Sequence, residues 1–188
     1  MRWNERERAW LIELLQTRSY EKKRVVLASG KESDFFIDCK QTVLTAEGHG
    51  LVGSLMFDAI EQTFPSCEAV AGVELGGCPL ASAVSFLSFE RGKPLAALYV
   101  RKEAKDHGSK RLVENDKSLR DGLPVVVLED VITTGGSTLK SVDKLKAVGA
   151  DVLGVIAIVD RQEGGAEALK QAGLTFVAIA TKRDIVGG

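Results

Sequence analysis

The sequence predicts an α/β fold, a mainly parallel sheet flanked by helices, and three observations lead there. Short continuous apolar runs at residues 69–73, 95–100, 124–128, 152–159 and 175–180 have the length and makeup of strands buried on both faces. Segments of helical periodicity stand between several of them, most clearly Leu51, Val52, Leu55, Met56, Ala59 and Ile60, which fall on one stripe. Such βα alternation requires crossovers that lay helices over a parallel sheet.

Taken in order, Asn4 and Glu7 stand at N-cap spacing ahead of a helix through about residue 16, which is expected to bury Trp10, Leu11, Leu14 and Leu15. Ser29-Gly30 reads as a turn, and the alternation after it as a short strand. The helical stripe at 51–60 precedes the first long strand at 69–73, and a second helix covers about 79–89. The strand at 95–100 runs into a charged segment reaching about Arg120, which reads as a long loop; loops of that length tend to be functional lids or disordered. A helix over 137–148 follows the strand at 124–128, with Gly149 placed to end it.

Composition bounds the function. With 188 residues, 45% hydrophobic and 27% charged, the chain falls in the one-domain range, and residues 1–188 read as a single unit. Lys and Arg number 25 against 26 Asp and Glu, a net charge of −1, which argues against a nucleic-acid surface. No apolar stretch suits a bilayer and the first residues lack a signal-peptide core, so no membrane association is expected. Cys39, Cys67 and Cys78 have no zinc-type spacing and cannot make a complete disulfide set, which fits a cytoplasmic protein. His49 lies on the polar side of a helix and offers no metal cluster.

The most informative segment is 125–137, an apolar strand that delivers Glu129 and Asp130 into the loop Val131, Ile132, Thr133, Thr134, Gly135, Gly136 and Ser137. Ligands of open α/β sheets bind beyond the carboxyl ends of strands, so both charges are expected to meet solvent and ligand. The paired glycines leave converging backbone N–H groups accessible to an anion, and the following helix adds its positive dipole end. A phosphate suits that turn, and vicinal ribose hydroxyls suit the acids. A lone acidic pair at a strand end could equally serve solvation. The spacings of a P-loop and of a dinucleotide turn are both absent.

This segment resembles the donor-binding signature of the type I phosphoribosyltransferase family, which uses phosphoribosyl pyrophosphate (PRPP). A second segment, Arg101-Lys102-Glu103-Ala104-Lys105-Asp106-His107-Gly108, reads from composition alone either as a solvated charge run or as a cationic site for pyrophosphate. It resembles the mobile loop, here roughly 102–118, of the orotate-using branch. The resemblance implies the type I phosphoribosyltransferase fold with a small N-terminal hood at roughly 1–40. It also implies transfer of ribose 5-phosphate from PRPP to orotate, giving orotidine 5′-monophosphate and pyrophosphate in pyrimidine synthesis, with Mg²⁺ held mainly through PRPP and water.

By the same resemblance Arg101, Lys102, Lys105 and His107 contact pyrophosphate, with Lys105 the residue most sensitive to substitution. Glu129 and Asp130 hold the ribose, and the backbone of 131–137 holds the 5′-phosphate. Orotate is expected against Ser29, Gly30, Phe36, Thr133 and Arg161, although adjacent phenylalanines are more often core and Arg161 taken alone reads as readily as a surface residue. The family implies a homodimer with shared active sites. Two departures stand out, since many members carry Lys where this chain has Ala28, and some carry Lys where it has Gly76. The rival readings are another acceptor base, opposed by the octet and Arg161, and a non-enzymatic PRPP sensor, opposed by the absence of a helix-turn-helix and of basic character.

Overall fold

The computed structural model describes residues 2–26, 32–103 and 112–187. The chain opens with α1 (Glu5–Leu14), and the side chain of Asn4 accepts from the Glu7 amide at 3.3 Å, the predicted cap. Leu11 and Leu15, one turn apart, are fully buried. Trp10 is 44% exposed and Leu14 is only partly covered, so the buried stripe is narrower than predicted. A residue one step from Leu11 points about 100° away around the helix, off the face that meets the core.

A π-helical turn (Leu15–Ser19) leads into β1 (Tyr20–Val26), which pairs antiparallel with β2 (Glu32–Ile37) as a separate two-stranded sheet. The short α2 (Lys40–Val43) precedes α3 (Ala46–Thr63), whose predicted stripe from Leu51 to Ile60 is buried throughout. Then come β3 (Ala69–Val73), α4 (Gly77–Glu90), β4 (Ala96–Val100), a two-residue β5 (Val113–Glu114) and β6 (Pro124–Ile132). The chain finishes with α5 (Gly136–Ala147), β7 (Asp151–Asp160), α6 (Gly165–Gln171), β8 (Thr175–Thr181) and α7 (Lys182–Val186). β5 and the 3₁₀ turn Asp116–Ser118 lie within the segment read as loop, so its second half carries structure of its own.

The main sheet has the order β5-β4-β3-β6-β7-β8, and all its pairs are parallel except β4 with the short β5. Side chains alternate between two cores. Val70, Val126, Leu128, Ile156 and Ile158 face α1, α3 and α4, whereas Ala71, Val125, Val127, Val155 and Ala157 face α5 and α6. This two-sided burial is why the strands read as unbroken apolar runs. From β3 the chain crosses to β4 on one side and then to β6 on the other, which makes the carboxyl ends of β3 and β6 a topological switch point. The site lies there. Among the described residues, no helix is long and apolar enough to cross a membrane.

Candidate active site

β6 extends four residues beyond its predicted end because β7 keeps pairing with it as far as Ile132 opposite Asp160. The acids therefore sit inside the strand rather than beyond it, and the expectation that both charges meet solvent needs correction. Glu129 is only 6% exposed, and its Oε1 accepts from the buried Thr138 hydroxyl of α5 at 2.8 Å. Burial raises its pKa from 4.5 to about 7, Asp130 adds to the rise, and Thr138 and Lys102 pull against it. The ammonium of Lys102 thus acts on Glu129 of its own chain.

Asp130 is half-buried and accepts from the Val131 amide at 2.9 Å. Burial pushes its carboxyl up, opposed by that amide and by the Lys40 ammonium. A Cβ built on Gly76 would stand 2.1 Å from Asp130 Oδ2, so the carboxylate fills the space a side chain at 76 would need. The glycine at this position and the placement of the second acid belong together.

Beyond the acids, Val131 packs against the core and Ile132 is buried, so these two predicted donor-binding residues offer only backbone to a ligand. Thr133 is half-buried, while Thr134, Gly136 and Ser137 are exposed. Gly135 takes φ of +80°, in the left-handed region that favours glycine, and this bend aims the first amides of α5 into the turn. α6 buttresses the loop from outside, since a Cβ on Gly165 would meet the Thr133 carbonyl at 2.8 Å.

Arg161 follows β7, and its amide donates to the Ile132 carbonyl at 3.0 Å, which brings it directly beside the loop. Its guanidinium is buried, with Nη2 donating to the Phe35 carbonyl at 3.1 Å and Nε to Glu163 Oε1 at 3.1 Å. It also lies 5.3 Å from the centroid of the Phe35 ring, which packs on Tyr20. Phe35 is thus core and support for Arg161. Phe36 is half-buried with Lys23 Nζ 3.9 Å above its ring, so of the two phenylalanines it is the more accessible. Arg101 lies 3.5 Å from Glu114, and Lys102 is exposed at the start of the charged segment. Ser29, Gly30, Lys105 and His107 lie outside the described residues, as does Ala28.

Sequence reading missed Lys40, Asp38, Thr138 and Glu163 as parts of this site. Lys40 Nζ lies 2.5 Å from Asp38 Oδ1, and the neighbouring Cys39 Sγ lies 3.9 Å from the Asp130 carbonyl. These residues stand about ninety positions before β6, so no local pattern joins them to it. Thr138 lies one residue past the motif, where a hydroxyl on a helix gives no special signal.

Paired acids and an amide-rich turn lie together at a switch point of an α/β sheet, with a buried guanidinium alongside, an arrangement able to accept hydroxyls at the acids and anions at the turn. The sequence model of the phosphoribosyl transferase domain matches residues 46–180. An orotate phosphoribosyltransferase of Sorangium cellulosum is 72% identical over 183 residues, covering 97% of this chain and 94% of that protein. The crystal structure of Mycobacterium tuberculosis orotate phosphoribosyltransferase with Fe(III) dicitrate superposes with a TM-score of 0.81 at 37% identity, covering 95% of this chain and 98% of that one. The structure of the Mycobacterium tuberculosis enzyme with PRPP gives 0.78 at 33% identity, covering 96% and 99%. The chain belongs to the phosphoribosyltransferase family, on its orotate phosphoribosyltransferase branch.

The raised Glu129 pKa has a measurable consequence. A carboxyl that holds its proton more tightly when folded costs stability as pH rises from about 4.5 through about 7, because only the folded state must still ionise it. Glu129→Gln is therefore expected to gain stability relative to the parent between pH 5 and pH 8, by at most roughly 3 kcal/mol. Urea unfolding of both proteins at the two pH values checks this, and a gap independent of pH would contradict it.

Proposed function

We propose that the chain transfers ribose 5-phosphate from PRPP to orotate, forming orotidine 5′-monophosphate and pyrophosphate. The single observation that carries this reading is the Arg161 amide bonded to the Ile132 carbonyl at 3.0 Å, which sets a buried guanidinium beside the acids and the anion turn. A guanidinium can grip the orotate carboxylate bidentately while the turn holds the 5′-phosphate. Thr133, and with it Ser29, Gly30 and Phe36 of the hood, complete the orotate contacts in this scheme. Orotate N1 bonds to the anomeric carbon as the bond to the pyrophosphate oxygen breaks, the pyrophosphate carrying away the bonding electrons and the N1 proton passing to solvent. Positive charge builds on the ribose, and Glu129 and Asp130 stabilise it while holding the hydroxyls. Lys102 with Arg101, Lys105 and His107 neutralises the leaving diphosphate, and no covalent nucleophile is required.

Among the described residues no three His, Cys, Asp or Glu side chains gather to hold a metal. Mg²⁺ commonly keeps several waters and binds through substrate phosphates with one or two carboxylates, so the donor set fits an ion that would be held mainly by PRPP and water, with Glu129 and Asp130 as the nearby carboxylates. Bound there it supplies charge neutralisation for the diphosphate. The three unpaired cysteines suit a reducing cytoplasm.

A homodimer with shared active sites is part of the proposal. It is supported by large apolar side chains left exposed, Leu75 after β3 and Phe86 and Phe89 on α4, which a second copy would cover. Mixing Lys105→Ala chains with Asp130→Asn chains is expected to restore activity in the mixed dimer. No recovery in confirmed heterodimers would exclude sharing. The reaction itself is tested by following loss of orotate absorbance with PRPP and Mg²⁺. Turnover with orotate and none with uracil or hypoxanthine is expected, and inactivity toward orotate would overturn the proposal.

A further inference from the structure

Lys102 is gripped by its own peptide group. Its N–H donates to Glu74 Oε1 at 2.7 Å, and its carbonyl accepts from Lys144 Nζ at 2.8 Å. The same ammonium reaches the Arg101 carbonyl at 2.8 Å, and the Arg101 amide donates to the Leu112 carbonyl at 2.8 Å. Glu74 is anchored in turn, its amide donating to the Val100 carbonyl at 2.9 Å. Four segments meet here: the turn after β3, the end of β4, the residue before β5, and the second half of α5.

Lys and Glu side chains on a surface ordinarily keep their rotamer freedom and their water. Here both are ordered against backbone, through charge-assisted bonds of the stronger class. With the N–H and the carbonyl of one residue both held, the two peptide planes that flank Lys102 are tied down, and so is the direction of its Cα–Cβ bond. The charge of Lys102 opposes the rise in the Glu129 pKa, so the gripped residue bears electrostatically on that acid. α5 thus addresses the pair twice, through Thr138 to Glu129 at 2.8 Å and through Lys144 to the main chain of Lys102.

The geometry points to Glu74 and Lys144 as positioning residues that aim Lys102 at the diphosphate of the donor, an inference that rests on the phosphoribosyl-transfer reading above. Lys144→Met keeps most of the stem and removes the donor. In steady-state kinetics with orotate, PRPP and Mg²⁺, kcat/KM for PRPP is expected to fall about tenfold while KM for orotate changes by less than about twofold. Lys144→Arg, which can still donate to two carbonyls, should recover most of the loss. Glu74→Gln, which keeps an acceptor, should retain more activity than Glu74→Ala, and this pair carries the test should Lys144→Met not fold. In a Lys102→Ala background the Lys144→Met change should cost less than about threefold, because residues acting through one another do not lose additively. Unaltered PRPP kinetics in folded Lys144→Met, or an undiminished loss in the Lys102→Ala background, overturns the inference. A parent enzyme that turns over no orotate with PRPP would instead overturn the reading beneath it, so the two failures are distinguishable.

Discussion

Asp130→Asn is expected to lower kcat by about 100-fold or more, the scale seen when one preorganised electrostatic group is removed from a transition state. The substitution preserves shape, and an Asn oxygen can still accept from the Val131 amide as Asp130 Oδ1 does at 2.9 Å. What disappears is the negative charge that, in the proposed mechanism, faces the developing positive charge on the ribose. Stability should move in the opposite direction from activity. Burial raises the Asp130 carboxyl, so its ionised form is carried at a cost that a neutral amide avoids. The expected pattern is therefore a folded protein, at least as stable as the parent near pH 8, with most of its turnover lost. Retention of kcat within about threefold would show that the acid does not stabilise the reacting sugar.

Arg161→Ala should act on the acceptor. The buried guanidinium is already oriented by the Phe35 carbonyl and by Glu163, so its geometry is set before a carboxylate arrives. Removing one member of a desolvated charge pair typically costs about 2–5 kcal/mol, which corresponds to an increase in KM for orotate of about 30-fold or more. KM for PRPP should change far less, because the proposed donor site is built from β6 and α5. Glu163→Gln keeps an acceptor for Arg161 and should give an intermediate effect on orotate alone. An Arg161→Ala enzyme with unchanged orotate kinetics would remove Arg161 from the acceptor site. Circular dichroism on the same sample controls for loss of fold, since truncation also leaves Glu163 without its 3.0 Å partner.

The parts legible in the sequence are those whose cause is local. Strands such as Ala69–Val73 announce themselves because both faces are buried, and the stripe from Leu51 to Ile60 because one face is. The tight turn before α5 was legible because Gly135 answers a backbone need that its φ of +80° makes explicit. Elements of four to seven residues, such as α2, α6 and α7, are too short to show a period. β1 hides behind the charged run Glu21 to Arg24, whose members can point outward in a two-stranded sheet. The end of β6 was set too early because carboxylates read as exposed, whereas pairing with β7 carries them inward. Within the candidate site, the acids and the turn were marked by residue type at a strand end, whereas Arg161 taken alone read as readily as a surface residue and was singled out only by resemblance. Lys40 and the Glu74 and Lys144 grip depend on contacts between segments remote in sequence, Thr138 and Glu163 lie close to their partners but carry no motif of their own, and a charged residue on a helix such as Lys144 looks like any solvated one until the fold brings a carbonyl to it. Ser29, Gly30, Lys105 and His107 lie outside the described residues.

The most direct measurement is a crystal structure of the protein with PRPP and Mg²⁺ bound. It should place phosphate oxygens within about 3 Å of the backbone amides of 133–137 and the ribose hydroxyls against Glu129 and Asp130. PRPP bound elsewhere, with that turn empty and both acids free of the sugar, would contradict the assignment of β6 and α5 as the donor site.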